Sequence, residues 1–167
     1  MKDIQIRPAI EADLPDLLGL IRAIAQFDGC LDSVKVDVET LRAAFFSDRP
    51  KANALVAVIG GKAVGMATYY PIFSSFIGKP GIWLDDLYIC EEYRRHGIGR
   101  ALMTKLCEIA YHTGCVRIDW IVAQDNANGL GFYKRLGAQI FETVRQARLD
   151  EAAIAGVYVG LHNKPLP

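Results

Sequence analysis

The chain has 167 residues, 51% of them hydrophobic and 23% charged, a composition that supports one folded domain with its own core and argues against disorder. Nineteen Lys and Arg balance nineteen Asp and Glu. No overall field is left to attract nucleic acid or an anionic membrane, so any anion site must be local. The four cysteines, Cys30, Cys90, Cys107 and Cys115, form no CxxC pair and are expected to be free thiols in a reducing compartment. The opening MKDIQIRPA alternates polar and apolar residues and lacks the apolar core of a secretory signal. No run approaches the roughly 18 apolar residues of a membrane helix. A cytoplasmic location is the expectation.

In chain order, residues 3–7 are predicted as a strand ended by Pro8. Residues 13–27 place Leu14, Leu17, Leu18, Ile21, Ile24 and Ala25 at helical spacing, with Asp13 near the helix start. After the loop DGCLDS, a second helix is predicted over Val38–Phe46. Residues 54–59 and 63–72 are predicted as strands joined by a Gly60-Gly61 hairpin turn, residues 73–81 as a loop, and 82–90 as another strand with Asp85-Asp86 at its middle. Residues 97–113 predict a long helix with Ile98, Leu102, Leu106 and Ile109 on its buried stripe, closed by Gly114. A strand over 116–122, a short helix over 128–136 and a final strand pair, 139–149 and 154–161 turning near Asp150-Glu151, complete the pattern. The order implies a mixed α/β fold, mostly antiparallel, in a single domain over 1–167.

The stretch YRRHGIGRA, Tyr93 to Ala101, stands between a strand and a helix. A helix start carries unpaired N–H groups and partial positive charge. Gly97 and Gly99 leave that backbone open, and Arg94, Arg95, His96 and Arg100 add positive charge. Basic residues there oppose the helix dipole unless an anion is shared between them, which fits a phosphate or pyrophosphate cradle. Neither GxGxxG nor GxxxxGK[ST] is present, so the nucleotide-binding patterns of dehydrogenases and ATPases are excluded. His96, His112 and His162 show no metal-ligand spacing, and no metal is expected.

Arg94-Arg95-His96-Gly97-Ile98-Gly99 resembles the R/Q-x-x-G-x-G/A signature of the GNAT N-acetyltransferase superfamily, and NANGLGFYKRLG, Asn126 to Gly137, resembles its second signature. The opening IRPA is similar to the usual start of that fold. Tyr69-Tyr70, FIGKPG followed by WLDDLYI, YRRHGIG and FYKRLGA resemble the diamine acetyltransferases, those of spermidine/spermine and thialysine. The resemblance spans nearly the whole chain. It implies acetyl-CoA as cosubstrate, held through Arg94, Arg95, His96, Gly97, Ile98, Gly99 and Arg100, with Asn126, Gly129 and Tyr133 contributing from the second signature. It also implies a strand that splays from its neighbour, so that backbone groups near Leu87, Tyr88 and Ile89 meet the pantetheine arm and the thioester.

By the same resemblance Tyr133 is the general acid for the departing thiolate. A phenol is matched to that task, although packing with a satisfied hydroxyl explains such a tyrosine too. For Asn126, helix capping is an equally good account. Asp85 matches the acid that binds the amine and helps to deprotonate it, one methylene shorter than in the diamine enzymes. Phe27 and Asp28 match an aromatic–acid pair at the amine site, and Asp119 and Trp120 are further candidates for it. Because neighbours on a strand face opposite ways, only one of Asp85 and Asp86 is expected to enter the cleft. The resemblance implies direct transfer to a primary amine of a small molecule through a ternary complex, in a homodimer with the last strands near the interface. Protein or peptide N-acetylation and a non-catalytic acyl-CoA-binding domain are the alternatives. A nucleic-acid-binding role for the RRHGIGR patch is disfavoured by the neutral net charge.

Overall fold

A computed structural model describes residues 4–162, with side chains through residue 160. Its elements are β1 Gln5–Pro8, α1 Leu14–Phe27, α2 Val38–Phe46, β2 Asn53–Ile59, β3 Lys62–Ser74, β4 Lys79–Ile89, α3 Ile98–His112, β5 Ile118–Asp119, α4 Ala127–Arg135 and α5 Glu151–His162. Residue 3 of the first predicted strand lies outside the described residues. Contacts divide the chain into two compact units, one up to Ala123 and one from Gln124.

In the first unit the strands form a sheet in the order β1-β2-β3-β4-β5. Every neighbour is antiparallel except β4 and β5, which are parallel. The mixed, mostly antiparallel α/β class expected from the sequence is therefore the fold observed. β2 and β3 carry near-continuous apolar runs because both sheet faces are covered. On one face Leu14, Leu17 and Leu20 of α1 and Leu41 of α2 pack on Ala54, Val56, Val58, Ala63 and Met66. Strand alternation turns the buried Leu55 and Ala57 to the other face. There α3 lies against β1 to β4 and buries Ile98, Leu102, Met103, Leu106 and Ala110.

Asp13 does more than favour the α1 dipole. Its carboxylate takes both Arg7 Nη atoms, at 2.6 and 2.9 Å, and the Ile10 N–H at 2.8 Å. The Arg7 hydrogen bond holds the Asp13 carboxyl below its ordinary range and fixes β1 to the start of α1. Asp16 accepts from Ala63 N–H at 2.9 Å and ties the same helix to β3.

The hairpin of β3 and β4 is longer than expected. Pairs from Pro71↔Ile82 to Ser74↔Lys79 extend it through most of the predicted loop, because proline needs no donor where the ladder does not use one. The strand predicted over 116–122 shrinks to Ile118–Asp119.

In the second unit, the predicted strands 139–149 and 154–161 are absent. Residues 139–149 have no helix or strand, and α5 occupies the whole of the second segment. Asp150, expected at a turn, instead caps α5: its Oδ1 accepts from Ala153 N–H at 2.8 Å and its carbonyl from Ile154 N–H at 2.8 Å. That cap and Ala152, Ala153 and Ala155 override the β propensity of Val157, Tyr158 and Val159. A dimer interface along these strands has no strand there to rest on. Among the described residues no helix is long and apolar enough to cross a membrane.

Candidate active site

Two features of β4 shape the site in the first unit. The first is its edge. β4 meets β5 only at Ile82↔Ile118 and Trp83↔Asp119, so from Leu84 onward that edge has no strand partner among the described residues. Cys90 N–H donates to Val64 O at 2.9 Å across β3, and Asp86 N–H points the same way, to Thr68 Oγ1 at 3.1 Å. By alternation Leu87 and Ile89 aim their N–H and C=O groups at the open edge, whereas those of Tyr88 face β3.

The second feature is a bulge. Thr68 pairs with Asp86 and Tyr69 with Leu84, which leaves Asp85 unpaired as the extra residue. The bulge resets the alternation that was expected to part the two acids. Asp85 and Asp86 line one cavity of about 200 Å³ together with Thr68, Tyr69 and Tyr70 of β3, and Ile21, Leu41, Ala44, Phe45 and Ala52 form the rest of its wall. The expectation that one acid only enters the cleft is thus corrected.

Asp86 accepts from Thr68 Oγ1 at 3.0 Å. Burial pushes its carboxyl above the ordinary range, and the charges of Asp85 and Asp28 add to the rise against the Thr68 hydrogen bond. Burial likewise raises the Tyr69 phenol. Among the described residues no Lys, Arg or His forms an ion pair with Asp28, Asp85 or Asp86.

This has a consequence for stability. A carboxyl with a raised folded pKa binds more protons in the native than in the unfolded chain between the two values. Its contribution is present below the unfolded value and lost as pH rises through the folded one. At neutral pH Asp86→Asn keeps an acceptor for Thr68 and removes the charge. Its melting temperature is expected to exceed that of the parent at neutral pH, the gap closing as pH falls into the ordinary carboxylate range. An equal or lower value across that range would contradict the assignment.

The other acceptor-side candidates divide. Phe27 ends α1 and is 59% exposed, with Asp28 as the C-cap residue. Asp119 is engaged by Arg117 Nε at 2.8 Å. Trp120 is half-buried. Trp83 stacks on Tyr70, with ring centroids 6.4 Å apart.

Between β4 and α3 the chain turns through two left-handed residues, Arg95 at φ +64° and Gly97 at φ +81°. Gly97 is the N-cap residue, no side chain caps the helix, and its first turn holds no acid. The first intrahelical bond runs from Ala101 N–H to Gly97 O at 2.9 Å. The N–H groups of Ile98, Gly99 and Arg100 therefore precede the helical ladder. A Cβ placed on Gly97 would have nothing within 4 Å, so the space before these donors is open. Together with Arg95, His96 and Arg100 the turn suits a pyrophosphate. Arg94 departs from this group: its Nε donates to Ile89 O at 3.0 Å. A groove of about 460 Å³ starts at Gly97 and follows α3 past Arg100, Thr104 and Lys105.

The second unit carries Asn126, Gly129 and Tyr133 on or beside α4. Asn126 Oδ1 accepts from Gly129 N–H at 2.8 Å and caps the helix. A Cβ on Gly129 would lie 2.8 Å from Asn126 Nδ2, so this cap requires glycine there. Tyr133 packs edge-on against Phe132, centroids 5.1 Å apart, and burial pushes its phenol up to about 12.

Sequence reasoning did not find Thr68, whose signal exists only in the paired register. Among the described residues no group of three or more His, Cys, Asp and Glu is placed to hold a metal.

Residues 21–138 match the model of the acetyltransferase (GNAT) family, and the chain belongs to that family. It is 37% identical over 147 residues to a thialysine N-epsilon-acetyltransferase of Bos taurus, covering 83% of this chain and 86% of the relative. It is 33% identical over 134 residues to an L-ornithine N5-acetyltransferase of Arabidopsis thaliana, covering 78% and 55%. The fold is similar to that of an integron cassette protein from the V. cholerae mobile metagenome, with TM-score 0.77 and 24% identity over 93% of this chain and 97% of the other.

Proposed function

We propose that the protein is an acetyl-CoA-dependent N-acetyltransferase whose acceptor is a small molecule with two amines, a diamine or a diamino acid. The observation that carries the acceptor class is the set of Asp28, Asp85 and Asp86, close enough for the first two to perturb the third and without an ion-pair partner among the described residues. Asp28 and Asp85 are exposed and only Asp86 is largely buried; an uncompensated carboxylate held there beside two others is costly, and a dication spanning the three relieves that cost. The relatives named for thialysine and L-ornithine, each an amino acid with a second amine, support the same class.

In this mechanism the α3 N-terminus and its basic flank hold the pyrophosphate. Leu87 and the N–H of Ile89, whose carbonyl already accepts from Arg94 Nε, offer backbone groups to the pantetheine arm, and an N–H there meets the oxyanion charge. Acetyl-CoA supplies the activated acyl group. Asp85 and Asp86 bind the acceptor, and Asp85 helps to take a proton from its attacking nitrogen through water. The nitrogen then bonds to the acetyl carbon, the C–S bond breaks, and Tyr133 donates a proton to the sulfur.

Release of free coenzyme A from acetyl-CoA tests the proposal against a panel of putrescine, spermidine, L-ornithine, lysine, thialysine, monoamines and short peptides. Turnover concentrated on the two-amine compounds is expected. Turnover confined to peptides would assign the acceptor to protein N-termini. Acetyl-CoA binding with no turnover on any acceptor would favour a non-catalytic binding domain.

A further inference from the structure

The geometry points to Arg94 as a positioning residue that joins the phosphate-side turn to the amine-side loop. Its guanidinium carbon lies 5.2 Å from the Phe27 ring centroid and 5.4 Å from that of Tyr88, while Nε is bound to Ile89 O at 3.0 Å. Three segments therefore meet at one side chain: the end of α1, the open edge of β4 and the turn before α3. Cation–π contact of this kind strengthens as the cation loses water, and the planar guanidinium can stack and donate at once, which an ammonium cannot.

What this holds in place is the amine-side loop. Phe27 is the last residue of α1 and Asp28 its C-cap. Asp28 is also the acid whose charge reaches Asp86. Fixing the Phe27 ring fixes the carboxylate beside it relative to the Asp85–Asp86 pair. The left-handed residue that follows, Arg95 at φ +64°, turns the chain sharply after Arg94, so the two arginines need not share a task. Arg95, His96 and Arg100 remain for the phosphates. This assignment rests on the functional proposal above, and it separates Arg94 from the other residues of the signature.

The test compares the parent with Arg94→Ala, Arg94→Lys and Phe27→Leu. By calorimetry, acetyl-CoA affinity of Arg94→Ala is expected to stay within about threefold of the parent. The acceptor KM should rise about tenfold with a smaller change in kcat. Arg94→Lys should recover only part of that loss. Phe27→Leu combined with Arg94→Ala should be scarcely worse than Arg94→Ala alone, since the contact that Phe27→Leu removes is already lost. Amide exchange over residues 27–34, measured without any substrate, should quicken in Arg94→Ala. An acetyl-CoA affinity changed tenfold or more in either direction would place Arg94 at the phosphates and overturn the inference. Unchanged exchange over residues 27–34 would overturn it as well. Both readouts stand even if the parent acetylates no amine, so failure of the functional proposal is distinguishable from failure of this one.

Discussion

Tyr133→Phe is expected to lower kcat by about 100-fold to 1,000-fold while acetyl-CoA affinity, measured by calorimetry, stays nearly unchanged. The substitution removes one oxygen and leaves the edge-on contact with Phe132 in place. With its phenol pushed up to about 12 by burial, Tyr133 keeps its proton throughout the neutral and mildly alkaline range. That suits a donor and excludes a resting-state base. The phenolate left after donation is strongly basic, and the cationic nitrogen of the forming amide can return the proton. The sign of the pH dependence follows. A phenol raised in this way adds no decline of rate across the neutral range. An unchanged kcat in Tyr133→Phe would remove the phenol from the chemistry.

Gly97→Asp is expected to weaken acetyl-CoA binding by about 2 kcal/mol, about 30-fold, with a smaller loss of folding stability. Gly97 is left-handed at φ +81°, a conformation that costs an L-residue roughly 1–2 kcal/mol. Since a Cβ there has nothing within 4 Å, the side chain would not clash within the free protein. It would stand in the open space before the Ile98, Gly99 and Arg100 donors, with negative charge where phosphate charge is expected. Gly97→Ala separates the effects: it shares the backbone strain and lacks the charge, so it should lose less affinity. Equal binding by Gly97→Asp and the parent would mean that the phosphates lie elsewhere.

Local patterns carried much of the fold. Leucines at helical spacing marked α1, the apolar runs flanking Gly60-Gly61 marked β2 and β3, and the glycine–arginine turn marked the start of α3. These signals lie within one element or one turn. The site depended on relations between elements. Alternation along β4 would separate Asp85 from Asp86, and only the pairing of Thr68 with Asp86 and Tyr69 with Leu84 shows the bulge that places both at one cavity. Arg94 gives the same lesson, since nothing in RRHGIG reveals that its first arginine stacks on Phe27, far away in the chain. At the C-terminal end, IAGVYVGL has strand-forming residues at intervals compatible with either structure. Asp150 and the alanines after it decide for helix through a cap that also resembles a turn.

An acceptor for Asp28, Asp85 and Asp86 should carry two positive charges. The decisive comparison is kcat/KM for putrescine and L-ornithine against butylamine, which has a single amine, at mildly alkaline pH with saturating acetyl-CoA. If the Asp28, Asp85 and Asp86 carboxylates receive a dication, a two-amine compound should be preferred about tenfold or more, and Asp86→Asn should reduce that preference. Butylamine used as well as either two-amine compound, with Asp86→Asn showing the same ratio as the parent, would contradict it.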